Sequence, residues 1–122
     1  MKYILLVILL ILPLSGCTRA QPTMAGGKWA EALRDPDAKV RRKAAFTLGN
    51  IGPSDRAVLP ALIGALNDAD RDVRCEAILS LVKYGPGARE AVPRLTELRQ
   101  KDRNAKVRDY AARALEKLQE GG

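Results

Sequence analysis

The sequence predicts an all-α fold, a short α-solenoid of about three helical hairpins. A Val-Arg pair occurs at Val40, Val73 and Val107, with spacings of 33 and 34 residues. Apolar residues follow each valine at offsets of 4, 8 and 11, which lie on one face of an α-helix. Only 4% of the residues are aromatic, which favours a core of closely packed helices built from small aliphatic side chains. A fixed period of this length is typical of helical solenoids.

Each repeat unit is predicted to contain two helices. First helices are expected at 27–34, 55–67 and 88–101, and second helices at 38–51, 71–84 and 105–119. Gly52 and Gly85 are expected to end the first two of the second helices, because glycine tolerates the backbone conformation that follows a helix. Pro60 and Pro93 lack a backbone N–H, so a bend or a separate first turn is expected near them.

The start of each second helix is also marked. Asp37, Asp70 and Asn104 stand just before these helices. Their side chains can accept hydrogen bonds from the free N–H groups of a first helical turn, so we predict that they are N-caps.

These features resemble HEAT repeats, in particular the short type first named from phycobilisome lyases. The resemblance is carried by the Asp/Asn-x-x-Val-Arg turns and by GPSDRAVLPALIGAL at 52–66, echoed by GPGAREAVPRLTEL at 85–98. It covers residues 28–119, in units of about 28–52, 53–85 and 86–119. The first unit has a short first helix and the third lacks a closing glycine before Gly121, so we interpret both as caps of the array.

The resemblance also suggests a role for the repeated arginines. In such families this arginine commonly bridges to the acidic turn of a neighbouring unit. The expected structural ladder consists of Arg41, Arg74 and Arg108 with Asp37, Asp70 and Asn104. The alternative is a basic stripe for an anion or nucleic acid. We expect no nucleic acid, because no aromatic side chains interleave with the basic residues and the chain carries an export signal.

That signal is predicted at residues 1–16, where Lys2 precedes an apolar run too short for the roughly 20 residues of a membrane span. Leu14-Ser15-Gly16-Cys17 resembles the lipobox of bacterial lipoproteins, which implies cleavage before Cys17 and lipidation of its sulfur. The alternative is a plain signal peptide with an incidental cysteine. Residues 17–27 would form the lipidated end and a flexible tether. The chain is thus expected to be exported and anchored by lipid to a bacterial membrane. Thr18 favours the outer membrane, facing the periplasm, in a diderm.

Two large apolar residues occupy a position of the repeat that is usually polar. Phe46 and Leu79 stand at offset six on their second helices, where relatives are usually polar, as Arg113 is in the third unit. We predict a partner-binding surface on the concave helix face, formed by Phe46, Leu79, Arg42, Lys83 and Arg113. The alternative is that Phe46 folds back over the short first unit.

Two further residues are assigned to packing. Trp29 aligns with Leu62 and Leu95, so it is expected to cap the open end of the first unit. Cys75 is expected to be a small core residue, because a catalytic cysteine needs a base and the chain contains no histidine.

The absence of histidine also guides the functional prediction, because histidine is the commonest general base and metal ligand. We expect no catalytic residues, no metal and no cofactor, and no enzymatic activity. The sequence favours a monomeric, lipid-anchored scaffold or adaptor for an unidentified envelope protein or peptide. The alternative is a cationic binder of peptidoglycan or anionic headgroups, given the net charge of +7. A lyase or hydroxylase of the HEAT type is a less favoured alternative, because the related hydroxylases bind iron through histidine-glutamate pairs.

Overall fold

Six α-helices follow one another through residues 24–121, the part of the chain that this computed structural model describes. They are α1 Met24–Ala32, α2 Ala38–Ile51, α3 Val58–Ala65, α4 Arg71–Tyr84, α5 Val92–Lys101 and α6 Ala105–Glu120. The described range contains no strand, and its helices pack as hairpins, so the predicted all-α solenoid is confirmed. The predicted signal peptide and Cys17 lie outside the described residues.

The second helix of each hairpin has nearly the predicted bounds, because local capping defines both ends. The side chains of Asp37, Asp70 and Asn104 each accept a hydrogen bond from the backbone N–H two residues on, at 2.9, 2.8 and 3.0 Å. Gly52 and Gly85 end α2 and α4 with φ values of 66° and 90°, and their N–H groups bond back into the last helical turn. A side chain would be strained at those angles.

The first helices α3 and α5 are shorter than predicted. They begin at Val58 and Val92 instead of residues 55 and 88. A separate 3₁₀ turn, Pro86–Ala91, precedes α5, and another, Gly52–Ser54, lies upstream of α3. Pro60 and Pro93 fall within the first turn of their helices, where a missing N–H breaks no helical hydrogen bond.

The predicted boundary between tether and first helix is wrong. Residues 24–27 were expected to belong to the tether, but α1 already begins at Met24. The N–H of Gly26 donates to Asp55 Oδ2 at 3.1 Å, in the turn before α3. A Cβ at this position would lie 2.3 Å from the same oxygen. Gly26 therefore permits a close approach of α1 to the next unit, and does not act as a helix breaker.

The core consists of the aliphatic rows that the repeat predicts. Leu48, Leu62, Leu81 and Leu95 are fully buried. The helices α2, α4 and α6 pack side by side along the array, and we call their exposed surface the second-helix face. Trp29 packs against the core of the first unit and is partly buried. Among the described helices, none is both long and apolar enough to cross a membrane.

The repeated arginines join neighbouring units, but not through the residues that the sequence suggested. Arg41 Nε lies 2.9 Å from Asp68 Oδ2, and Arg74 Nε lies 2.9 Å from Asp102 Oδ2. We call these two pairs the arginine ladder. The hydrogen bond to Asp68 raises the pKa of the Arg41 guanidinium above its ordinary value.

Asp70 and Asn104 were the expected acceptors, and Asp37 was expected to belong to the same set. These three side chains instead cap the second helices, each through its Oδ1 atom. The acceptors, Asp68 and Asp102, stand two residues earlier in each turn.

Each arginine also fastens its own turn. Arg41 Nη1 donates to the carbonyl of Asp35 at 2.8 Å, and Arg74 Nη1 donates to the carbonyl of Asp68 at 2.8 Å. Arg108 Nη1 makes the equivalent bond to the carbonyl of Asp102 at 2.6 Å. The guanidinium groups of Arg41 and Arg74 therefore each connect the turn before their own helix to the turn of the next unit.

We expect Arg74→Met to destabilise the fold by about 3 kcal/mol, because it leaves the carboxylate of Asp102 buried without its cation. The two side chains are only 7% and 6% exposed. Urea unfolding followed by circular dichroism measures the loss. Arg108→Met is the matched control, since within residues 24–121 Arg108 pairs with no carboxylate, and its loss should be about 1 kcal/mol. Equal losses for the two variants would contradict the ladder.

A second prediction concerns the contact between α2 and α4. A Cβ at Gly49 would lie 2.5 Å from Ser80 Oγ, and this hydroxyl is buried and donates to the carbonyl of Ala45 at 2.8 Å. We expect Gly49→Ala to cost about 1–2 kcal/mol net, because overpacking outweighs the gain in helix propensity. Gly64→Ala, in α3 with open space around its Cβ, should instead stabilise by about 0.5–1 kcal/mol. Stabilisation by both substitutions in urea titrations would show that the close approach is not required.

Candidate functional site

The described residues expose two large hydrophobic side chains, and they are neighbours on the second-helix face. Phe46 on α2 is 54% exposed and Leu79 on α4 is 49% exposed. They stand at the same position of consecutive units, and α2 packs directly on α4. The alternative that Phe46 folds back over the first unit is wrong, because its ring remains largely open to solvent. We call Phe46 and Leu79 the apolar pair.

The predicted polar neighbours surround this pair. Lys83 Nζ lies 5.7 Å from the centroid of the Phe46 ring, a cation–π distance, and donates to Asn50 Oδ1. Arg42 Nε lies 3.5 Å from Glu76 Oε2 across the boundary between α2 and α4. These contacts hold the cationic groups beside Phe46.

A small cleft of about 240 Å³ opens beside Leu79, between α4 and α6. It is lined by Ile78, Leu79, Val82, Tyr110, Arg113, Ala114 and Lys117. Its floor is apolar, and the cationic ends of Arg113 and Lys117 belong to exposed side chains. The cleft has room for one apolar side chain of a partner.

Among the cleft residues that the sequence prediction missed are Tyr110, Val82, Ile78 and Ala114. Tyr110 stands at offset three from its valine, like Lys43 and Glu76 on the other second helices. Residues at offset three also lie on the second-helix face. The aromatic residue at this position in the third unit could therefore have been included in the predicted surface. Lys106 Nζ lies 5.5 Å from the Tyr110 ring centroid and adds a further cation there.

The second-helix face carries an excess of positive charge. Arg42 is paired with Glu76, and Arg113 with Asp109 at 3.2 Å. Within residues 24–121, no carboxylate lies within ion-pair distance of the following exposed lysines: Lys39, Lys43, Lys83 and Lys106. The apolar pair is thus surrounded by cations, which favours an acidic ligand.

The described side chains do not form a set that suggests catalysis. The sequence contains no histidine. Between residues 24 and 121, no three Asp, Glu or Cys side chains lie close enough together to hold a metal ion. Cys75 is buried in the core, and burial raises the pKa of its thiol. A buried, protonated thiol is a poor nucleophile.

Comparison with known proteins agrees with this architecture. A family profile for HEAT repeats matches residues 28–116. Among solved structures, the chain is similar to a protein in the complex of CpcE and CpcF of phycocyanin lyase from Nostoc sp. PCC7120, with 33% sequence identity and a TM-score of 0.67. The match covers 82% of this chain but only 39% of that protein. No curated protein sequence matches the chain.

The repeat read from the sequence, the stack of helical hairpins and the profile match thus agree over the same residues. The similarity to a phycocyanin lyase protein also confirms the predicted resemblance to the phycobilisome-lyase type of repeat. This chain belongs to the family of HEAT-repeat proteins.

Proposed function

We propose that this protein is an adaptor that binds another protein or peptide through its second-helix face. The observation that carries the proposal is the exposure of Phe46 and Leu79 at adjacent positions of a face that packing does not require to be apolar. Covering a large apolar side chain contributes roughly 1.5–3 kcal/mol. Two such side chains side by side form the centre that a binding surface needs.

The charges around the apolar pair support a partner with acidic groups. The lysines Lys39, Lys43 and Lys83 border the pair and would attract carboxylates as the partner approaches. Charges at the edge of an interface mainly raise the association rate and select the partner, whereas apolar contacts at the centre slow dissociation. A partner with apolar anchors flanked by Asp or Glu would satisfy both parts.

The similarity to a phycocyanin lyase protein supports a role in protein contacts, since that protein was solved in a complex of CpcE and CpcF. Lyase chemistry is not part of the proposal. This chain spans 39% of that protein, and its described cysteine, Cys75, is buried with the pKa of its thiol raised by burial. We therefore propose binding without catalysis.

We further propose that the adaptor is attached to a bacterial membrane through a lipid on Cys17, in the envelope and facing the periplasm in a diderm. The sequence Leu14-Ser15-Gly16-Cys17 supports this, as set out above. A cysteine carrying two or more acyl chains would anchor stably, because each buried CH₂ contributes roughly 0.8 kcal/mol. Residues 17–23 would then link the lipid to α1.

The adaptor proposal predicts that Phe46→Glu combined with Leu79→Glu abolishes partner capture. The full chain is expressed in its own host with a C-terminal tag, cross-linked in intact cells, purified and analysed by mass spectrometry. Loss of both apolar contacts should weaken binding at least about a hundredfold. A protein captured by the native chain should therefore disappear with the variant.

The matched control is Gln100→Glu combined with Gln119→Glu, which adds the same two negative charges at other exposed positions. The control should retain the partner. If both variants retain it, the binding surface lies elsewhere. Capture of only peptidoglycan or lipid, lost above about 0.5 M salt where exposed charges are screened, would favour the alternative of a cationic envelope binder.

The anchoring proposal predicts that Cys17→Ser releases the protein from the membrane. Cells are labelled with an alkyne-bearing fatty acid, and the labelled protein and the membrane fraction are quantified. The native chain should be labelled and should sediment with membranes, whereas the variant should be unlabelled. Labelling of the serine variant at the native level would exclude Cys17 as the attachment site.

A further inference from the structure

Both unit boundaries within residues 24–121 share one contact, the arginine ladder, which recurs in register along the chain. Positions are counted from the valine of each unit, which is Val40, Val73 or Val107. The arginine ladder joins the arginine that follows this valine to the aspartate that stands five residues before the valine of the next unit. In the same register, Arg108 is the arginine that follows the last described unit boundary, and Asp35 is the aspartate that precedes the first. The two ends of the array thus carry the two halves of one ladder contact.

Neither half has a partner across a boundary within residues 24–121. Arg108 donates to the carbonyl of Asp102, in its own turn, and pairs with no carboxylate there. The Asp35 carboxylate accepts the N–H of Asp37, also in its own turn, and receives no arginine. Both side chains are partly exposed residues at the open ends.

A second contact is made at the α2–α4 boundary alone, because the third unit has Ala114 at the donor position. Ser80 Oγ, at offset seven, donates to the carbonyl of Ala45, at offset five of the preceding unit. The corresponding end residues are Thr47 and Ala112. The Thr47 hydroxyl donates to the carbonyl of Lys43 in its own helix at 2.9 Å, so it would have to exchange this bond for one to a second copy. Ala45 and Ser80 are buried, whereas Thr47 and Ala112 are partly exposed. The donor and the acceptor are therefore again on opposite ends.

The third contact is also made at the α2–α4 boundary alone: it is the ion pair between Arg42, at offset two, and Glu76, at offset three of the next unit. The α4–α6 boundary has Cys75 and Tyr110 at these offsets. At the ends of the array these offsets are occupied by Asp109 and Lys43. The signs are exchanged, but the two residues remain opposite in charge. Asp109 already pairs with Arg113 on its own helix, and its exposed carboxylate can also attract Lys43 of a second copy.

We propose that copies of this chain stack head to tail, with the α6 end of one copy on the α2 end of the next. Arg108, Asp109 and Ala112 of one copy would meet Asp35, Lys43 and Thr47 of the next, in the register of the internal boundaries. Such a contact uses two different surfaces, so it extends into open chains instead of closing at a dimer. The proposal is independent of the proposed function, because the apolar pair lies on the second-helix face and not at the ends.

Glu116 limits the strength of this contact. It occupies offset nine, where the internal boundaries have Gly49 and Val82. A stacked copy must turn this exposed carboxylate towards solvent. Glu116→Ala should therefore strengthen association several-fold.

The test is zero-length carbodiimide cross-linking of the full chain in its membrane, followed by mass spectrometry. Head-to-tail stacking predicts an amide between Lys43 of one copy and Asp109 of another. Within one chain these residues lie on α2 and α6, on either side of α4, so about two helix spacings of 8–10 Å separate them. Mixing ¹⁵N-labelled and unlabelled chains should give linked pairs that contain one chain of each kind. The size of the linked oligomers should increase with the expression level.

Charge exchange tests the register. Lys43→Asp and Asp109→Lys should each reduce the linked dimer at least about tenfold, because like charges would face each other. The doubly exchanged variant should restore the link. Arg108→Asp with Asp35→Arg provides a second exchange, with unfolding midpoints measured to exclude loss of fold.

Monomers at all expression levels, as the sequence suggested, would overturn the proposal. It would also be overturned by oligomers whose links map to Phe46 and Leu79. Oligomers whose amount is unchanged by both charge exchanges would overturn it as well.

Discussion

A single hairpin of this protein cannot bury its own apolar side, so every hairpin depends on its neighbour. This constraint places the small residue Gly49 where α2 and α4 come closest, with the Ser80 hydroxyl against it. It also places charged groups at the unit boundary, where Arg74 and Asp102 are almost completely buried. A buried ion pair is stable only when hydrogen bonds accompany the attraction between the charges. The Arg74 guanidinium donates from Nη1 to its own turn and from Nη2 to Asp102 of the next unit, while its Nε makes no hydrogen bond.

The same stacking explains why the second-helix face is informative. One side of each second helix packs into the core, and another side packs against the neighbouring unit. The remaining side forms the second-helix face, which is not needed for this packing. Residues on that face are free to be polar, and most are. Phe46 and Leu79 depart from this pattern at one shared position, and the surrounding cations do not cover them. Their exposure is the observation on which the proposed binding surface rests.

The described ends of the array differ from its interior in a defined way. The first unit lacks a predecessor within the described residues, which leaves Val40 partly exposed whereas Val73 and Val107 are buried. The last unit ends in charged residues such as Glu116, as a cap should. Stacking of two copies would continue the second-helix face from one chain into the next. It would thus bring several apolar pairs onto one surface.

The sequence by itself determined the number, order and type of the helices, because a period of 33 or 34 residues and local caps at Asp37, Asp70 and Gly85 need no distant partner. It also indicated Phe46 and Leu79, since a residue that breaks a repeat is visible in the repeat.

Only the tertiary structure decided which carboxylates the arginines meet, how early α1 begins, and that Tyr110 lines a cleft with Leu79. These features depend on distances between units. Such distances are set by how closely the helices pack, and a local pattern does not contain them.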